Sequence, residues 1–349
     1  MTRAYVGRLA KRLSLVLGVG AAVIVMTGAT FEAVMQQRAL RRYPPPGRLV
    51  DIGGRRMQID CRGAGSPTVV LESGLDNYGS LSWAAVHDSI AATARVCAYS
   101  RAGIMWSDPS YAHFDTKHVA RDLHAALDAA GEHAPFVLVG HSIGGPYITT
   151  FTALYPGEVA GLVYVDPSHP DQFARFNAVT GRRMEPNPAI LAVGSALAWT
   201  GVVRLVPGDA PPTSWPRSLT HAPSAYLPQT VKALLEESRA VDRTLADAGQ
   251  LRQLGERPEI VLTATAPMSA AELALNGLTA KEGAGIQAAS RALHMSQAAW
   301  STRGRQELVP GASHYIQFDR PDVVIRAVRD VVGEVRHLPH GVIVATSRP

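Results

Sequence analysis

The stretch Val137-Leu138-Val139-Gly140-His141-Ser142-Ile143-Gly144-Gly145 decides how the rest of this chain is read. Phe136 to Val139 is an uncharged run of β-formers, which suits a strand buried on both faces of a parallel sheet. Gly140-His141-Ser142-Ile143-Gly144 fits G-x-S-x-G, and Pro146 to Leu154 continues as a helix-like segment that closes at Pro156. Strand, tight turn and helix are the surroundings a nucleophile elbow requires. So sharp a turn needs Gly140 and Gly144 to lie against the serine with no side chain in the way. Ser142 is then held up between a base on one side and a substrate on the other. With 31 glycines in 349 residues the bare pattern also arises by chance, as a Gly-rich turn with an idle serine. The flanking strand and helix favour the elbow.

The chain is long enough for one large α/β domain with an insertion, or for two domains. Hydrophobic residues make up 46% and charged residues 18%, a composition that excludes a disordered protein. The formal charge of +5 comes from scattered Lys and Arg, so it reads as membrane-proximal charge plus ordinary surface and not as a nucleic-acid footprint. Residues 13–31 carry no charge, and nineteen residues at ~1.5 Å each roughly match a ~30 Å hydrocarbon core. Arg3, Arg8, Lys11 and Arg12 precede this run, and Arg38, Arg41 and Arg42 follow it. The balance keeps the N-terminus cytoplasmic and puts the rest of the chain outside. The expectation is a single-pass anchor over 13–35, after a basic N-terminus over 1–12. The alternative is a cleaved signal sequence and a secreted protein, although no A-x-A site ends the apolar run.

Residues 36–46, polar and then proline-rich, read as a linker. Gly47 to Asp51 and Arg56 to Cys61 flank Gly53-Gly54 as a hairpin. Strands follow at Thr68 to Leu71, Arg95 to Tyr99, Gly161 to Val165, Ile260 to Ala264 and Glu307 to Val309. Helices are expected at Trp83 to Ala94, Thr116 to Ala130 and Arg320 to Val335. Alternating strands and helices imply a mostly parallel sheet covered on both faces. The core is therefore 47–166 with 256–337. Between them the rhythm breaks over 167–255, where many prolines, the apolar segment Ile190 to Val206 and a helical stretch Tyr226 to Ala248 read as a cap. A small separate domain is the alternative. Residues 338–349 form an uninformative tail.

A serine hydroxyl needs a base to take its proton and a third group to orient that base. His314, in Pro310-Gly311-Ala312-Ser313-His314 between the last strand and the last helix, would project at the edge where Ser142 stands. His141 lines the elbow instead. Asp166 ends the strand after the elbow unit and could reach the distal imidazole nitrogen, or it could be a turn aspartate before Pro167. Glu272, the first carboxylate after Ile260 to Ala264, is the alternative acid; Asp166 is preferred. An oxyanion needs backbone donors, assigned here to the N–H of Leu75, where Gly74 permits close approach, and of Ile143. No His and carboxylate cluster has metal-ligand spacing and no phosphate-cradling loop occurs, so neither metal nor cofactor is expected.

These residues resemble the α/β-hydrolase superfamily over about 48 to 336. The likeness is carried by Glu72-Ser73-Gly74-Leu75 with Trp83, Tyr99-Ser100-Arg101-Ala102-Gly103-Ile104-Met105-Trp106-Ser107, Gly140 to Gly145, Val165-Asp166-Pro167 and Ser313-His314. The resemblance implies an eight-stranded sheet in the order 1-2-4-3-5-6-7-8 and an inserted helical cap. Related haloalkane dehalogenases place their acid after the sixth strand, where Asp166 lies. Two positions depart from the pattern: Ser100 replaces a usual aspartate and Met105 a usual glycine. In that strand order Cys61 and Cys97 fall on neighbouring strands, where they are either disulfide-bonded or two buried free thiols. The implied activity is that of a serine esterase or lipase-like hydrolase acting on a hydrophobic acyl or ester small molecule through an acyl-enzyme. Thioesterase, lactonase, C–C hydrolase or perhydrolase chemistry on the same residues is the alternative, as is a binding protein without turnover.

Overall fold

The structure is a computed structural model that describes residues 3–110, 114–205 and 215–337, without the side chains of 3–10 and Ser218. The tail expected over 338–349 lies outside the described residues. Eight short runs of β-formers become β1 (Arg48–Asp51), β2 (Arg56–Arg62), β3 (Thr68–Glu72), β4 (Arg95–Tyr99), β5 (Phe136–His141), β6 (Val159–Val165), β7 (Glu259–Ala264) and β8 (Gly304–Val309). They form one sheet in the order β1-β2-β4-β3-β5-β6-β7-β8. β1–β2 and β2–β4 pair antiparallel, and the remaining pairs are parallel. Every residue of β3, β5 and β6 is buried, the apolar runs between two helical layers and the polar ends, Glu72 and His141, at the edge where the loops emerge.

The helices are α1 (Arg3–Arg42), α2 (His87–Ala91), α3 (Thr116–Ala129), α4 (Gly144–Leu154), α5 (Gln172–Thr180), α6 (Ala189–Leu197), α7 (Ser218–Ala248), α8 (Ala270–Leu275), α9 (Ala280–Ala298), α10 (Ile316–Asp319) and α11 (Pro321–His337). Val324, Ala327, Val328 and Val331 of α11 pack on one face of the sheet with Ile90 of α2. Leu123, Ala126 and Leu127 of α3 and Ile148 and Phe151 of α4 pack on the other. The helix expected over Trp83 to Ala94 is instead a 3-10 turn, Gly79–Trp83, followed by the short α2. Ser82 there donates its hydroxyl to Asp76 (3.0 Å), tying the stretch back to the preceding loop.

Cys61 and Cys97 stand opposite each other in the β2–β4 ladder, Cα atoms 4.0 Å apart, and are disulfide-bonded. Between β6 and β7 the chain inserts α5, α6, two 3-10 turns (Ala198–Thr200 and Val202–Leu205) and α7. α7 starts at Ser218, eight residues before the helical stretch read from the sequence, and runs through Pro223 and Pro228. Proline removes a helical donor and ordinarily breaks a helix. Here Leu219, Ala222, Tyr226, Val231, Leu234 and Leu235 are all buried along its length, and packing overrides the local penalty. The stretch read as a linker over 36–46 is helical as far as Arg42, and Ala39 within it is buried.

Parallel pairing aligns strand ends. Glu72 pairs with Gly140 and His141 with Val165, so the loops after β3, β5 and β6 emerge together at one sheet edge. β8, in register with β7, delivers Pro310 to Tyr315 to that edge.

Candidate functional site

Only three non-glycine residues among those described have a left-handed backbone: Met105 (φ 50°), Ser142 (φ 53°) and Asp166 (φ 42°). Such conformations cost roughly 1–3 kcal/mol and persist where the surroundings over-determine them. At Ser142 the cause is visible. A Cβ on Gly140 would lie 2.6 Å from the Gly144 carbonyl oxygen, and one on Gly144 2.6 Å from that of Glu72. Both positions must be glycine for β5 to turn so abruptly into α4, and Ser142 is carried at the apex, half-exposed.

His314 and Asp166, 148 residues apart, meet through His314 Nδ1 and Asp166 Oδ2 at 2.7 Å. The other carboxylate oxygen accepts the Ala264 N–H (2.9 Å). Burial acts most strongly on Asp166 and pushes its carboxyl up, but the His314 hydrogen bond and charge hold it below the usual range. Burial likewise pushes His314 down, and the hydrogen bond and charge of Asp166 outweigh it, so the imidazole sits above its ordinary value. Its side chain keeps 44% exposure, leaving the outer nitrogen approachable. Glu272 is occupied elsewhere: it closes a capping box at the start of α8, accepting the Ser269 N–H at 2.6 Å.

His141 points away from solvent, its Nε2 3.0 Å from the His314 carbonyl oxygen and its ring 4.7 Å from that of His314. Donation from Nε2 leaves Nδ1 unprotonated, and that atom is buried without a partner. Burial, then the nearby His314, lowers the His141 pKa to about 3, so the ring is a neutral brace for the His314 loop.

The loop after β3 closes over the elbow. A Cβ on Gly74 would stand 2.8 Å from His141 Nδ1 and 3.2 Å from Ser142 Cβ. Among the described residues neither the Leu75 nor the Ile143 N–H donates to the protein. The loop is held from behind by Arg101, which donates to the carbonyls of Ser73 (2.8 Å) and Gly74 (2.7 Å), to Glu72 (2.7 Å) and to Glu237 of α7 (2.8 and 2.9 Å). All three charged side chains are buried. The two departures from the sequence pattern fit this frame. Ser100 donates to Gln58 (2.7 Å), and Met105 takes the left-handed conformation natural to glycine while its N–H donates to Thr230 of α7 (3.0 Å).

Sequence reasoning missed three groups. His294 of α9 lies behind Asp166, its Nδ1 3.9 Å from Oδ1, and its Nε2 donates to the Pro167 carbonyl (2.8 Å). Glu237 completes the Arg101 network. Tyr78, Trp215, Tyr315 and Phe318 form an aromatic wall beside His314, with Trp215 rings 4.4 Å from Phe318 and 5.0 Å from Tyr315, and Tyr315 5.6 Å from His314. Their only signal was a tyrosine directly after His314. A cavity of about 810 Å³ is walled by Arg101, Met105 and Glu237 with parts of α1 and α6, and by neither Ser142 nor His314. Cys61, Cys97 and Glu132 bring three ligand-type atoms within 4.8 Å, but both sulfurs are spent in the disulfide and Arg95 holds Glu132.

The Alpha/beta hydrolase family model matches residues 59–327, well over half of the chain. The chain belongs to that family. Among solved structures this α/β hydrolase is similar to a probable hydrolytic enzyme from Pseudomonas aeruginosa PAO1, at 19% identity with TM-score 0.61, over 83% of this chain and 95% of that one. It is also similar to the epoxide hydrolase CorEH (17%, TM-score 0.57, 83% and 99%) and to an N-acyl homoserine lactone degrading enzyme (17%, TM-score 0.50, 81% and 99%). Likeness at this identity concerns the fold. Among curated sequences it is 33% identical to a probable transporter of Hormonema carpetanum over 34% of this chain. It is 25% identical to the uncharacterized protein YbdG of Bacillus subtilis over 37%. These matches span 18% and 40% of the relatives' lengths.

Proposed function

We propose that this α/β hydrolase is a membrane-anchored serine hydrolase that cleaves a carboxylic ester or related acyl substrate outside the cytoplasm through an acyl-enzyme. The observation that carries the reading is the 2.7 Å contact from Asp166 to His314 Nδ1 beside the left-handed Ser142. With Nδ1–H donated to the carboxylate, Nε2 is the basic nitrogen. Ser142 Oγ attacks the carbonyl carbon while His314 Nε2 takes its proton, and Asp166 stabilises the imidazolium. The oxyanion receives the N–H groups of Leu75 and Ile143. The tetrahedral intermediate expels the alcohol, which takes the proton from His314. Water, deprotonated by His314, then attacks the acyl-enzyme and returns Ser142.

A serine at the elbow favours acyl chemistry over epoxide opening, even though one similar structure is an epoxide hydrolase. A lactone is an internal ester and would follow the same steps. A thioester would follow them with a thiol leaving group, C–C hydrolysis would need a carbon leaving group that takes the proton from His314, and perhydrolysis would need hydrogen peroxide in place of water. The aromatic wall beside His314 supports a hydrophobic substrate. Residues 13–35 of α1 are the anchor in this reading, with the basic N-terminus cytoplasmic and residues 167–255 the cap.

The test is labelling of the full chain in vesicles with a fluorophosphonate probe, beside Ser142→Ala. Labelling of the parent and none of the variant is expected. A well-folded parent that stays unlabelled and turns over no ester in a chromogenic panel overturns the reading in favour of a non-catalytic binder.

A further inference from the structure

The inserted segment between β6 and β7 has an apolar face that the core does not cover. Ile190 (86% exposed), Val193 (60%) and Leu197 (42%) recur at helical spacing along one side of α6. Trp199 (53%), Val202 and Leu205 (74%) continue it through the two 3-10 turns. Residues 189–203 contain no charged side chain, and the first charge after them, Arg204, is turned inward. Two polar groups of the patch are satisfied within it: the exposed Trp199 indole donates to the Ala196 carbonyl (3.0 Å) and the Thr200 hydroxyl to that of Leu197 (2.6 Å).

What covers this face follows from where it is fastened. A Cβ on Gly28 of α1 would stand 2.5 Å from the Thr200 carbonyl oxygen, and one on Gly201 2.8 Å from Phe31. Four residues past Gly28, Glu32 makes a two-point ion pair with Arg204 (2.6 and 2.8 Å), with both side chains buried. The turns are thus locked to α1 at known positions. Gly28 lies three residues inside the end of the charge-free run 13–31, about 4–5 Å at ~1.5 Å per residue. The other sides of α1 stay bare there, with Ile24 73% and Met26 69% exposed. Any bilayer that surrounds α1 to the end of its apolar run therefore reaches the level of Ala198–Leu205.

We propose that the apolar face of residues 189–205 is embedded in the outer leaflet of the bilayer that α1 spans, so that the chain holds the membrane by one spanning helix and by one interfacial patch on its insertion. The charge-free surface, the exposed tryptophan and the locally satisfied indole and hydroxyl suit a segment at the hydrocarbon boundary. The proposal rests on α1 being the retained anchor of the proposed function.

The experiment uses the full chain in phosphatidylcholine vesicles without reductant, with an environment-sensitive fluorophore on one added cysteine in each of Ile24→Cys, Val193→Cys, Leu205→Cys and Asp330→Cys. Asp330 belongs to α11, on the sheet face opposite α3 and α4. Spin-labelled lipid is expected to quench the labels at 24, 193 and 205 roughly two-fold or more and to leave that at 330 unchanged. Quenching at 24 alone, with 193 and 205 open to a water-soluble thiol reagent or shielded only by concentration-dependent cross-linking to a second copy, overturns the patch and leaves the anchor standing. Loss of quenching at 24 as well overturns the anchor itself. Unfolding temperatures matching the parent confirm that each variant is folded.

Discussion

Asp166→Asn separates an orienting acid from a turn aspartate, and the structure fixes how the amide must sit. Oδ1 accepts the Ala264 N–H at 2.9 Å, so the oxygen of an asparagine stays on that side to keep the bond. The NH₂ is then presented to His314 Nδ1 at the 2.7 Å contact. Two donors cannot face each other there, so Nδ1 must accept and the proton moves to Nε2. That is the nitrogen from which base catalysis is required, and the neutral tautomer that remains cannot take the Ser142 proton. The expected loss in kcat is about 10³- to 10⁴-fold, or about 4–5.5 kcal/mol of transition-state stabilisation. KM should change little, because Asp166 does not face the substrate. The assay is hydrolysis of a short chromogenic ester by the full chain, with fluorophosphonate labelling rate as a turnover-independent reading. Glu272→Gln is the comparison: a glutamine keeps the acceptor that closes the capping box of α8, so rate and stability should both stay near the parent's. If Asp166→Asn stays within about ten-fold of the parent while Glu272→Gln loses activity, the role given to the Asp166–His314 contact is refuted.

His314 must be neutral to act as a base, and its pKa is raised, so activity is present above the folded pKa and lost as pH falls through it. The acid limb of kcat/KM should have its midpoint above the free imidazole value of about 6.5, and a midpoint below it would contradict the Asp166 contact. Arg101→Met leaves Glu72 and Glu237 buried without their cation and should lower stability by about 3–5 kcal/mol in chemical denaturation, with ester turnover falling as the Ser73-Gly74 loop loosens. A variant as stable as the parent would show that the network is incidental. Glu32→Ala strands Arg204 in the same way, so the insertion should become protease-sensitive while β1–β8 stay protected, and uniform resistance would refute the docking of α1. Replacing both Cys61 and Cys97 by serine opens a crosslink between residues 36 apart, for which the chain-entropy estimate is about 3–4 kcal/mol; an unchanged denaturation midpoint would refute it.

How much of this was legible in the sequence follows from the distance over which each feature is built. The elbow is local. Gly140 and Gly144 are dictated by backbone atoms within a few residues or on the adjoining strand, so a nine-residue window carries its own justification. The strand order was legible because alternating apolar runs and helices admit few right-handed arrangements, and the resemblance selected one. Asp166 was ambiguous for a physical reason. A turn aspartate and an orienting aspartate have the same local sequence, and what separates them here is a partner 148 residues away. Glu237 and Arg101 are 136 apart and Arg204 and Glu32 172 apart; no window holds either pair. The start of α7 was hidden for another reason: Pro223 argues locally against a helix before Tyr226, and burial of Leu219, Ala222 and Tyr226 enforces one.

The long-range contacts that the sequence hid share one consequence. Arg101 holds the loop of Ser73 and Gly74 on one side and Glu237 of α7 on the other, while Thr230 of the same helix takes the N–H of left-handed Met105. α7 is in turn tied to α1, because the Tyr226 hydroxyl and the Trp106 indole both donate to the Tyr43 carbonyl at 2.9 Å, one residue past the end of α1. Part-buried hydrogen bonds at Tyr43, the α7 helix and the buried Arg101 network thus connect the proposed anchor, through the insertion, to the backbone that would carry one oxyanion donor. The Arg101 contacts lose their stabilisation if α7 shifts, since Arg101, Glu72 and Glu237 would be left buried with fewer partners. The loop over Ser142 is therefore held by the same helix that α1 supports, and removing α1 should loosen the site as well as release the chain from the membrane.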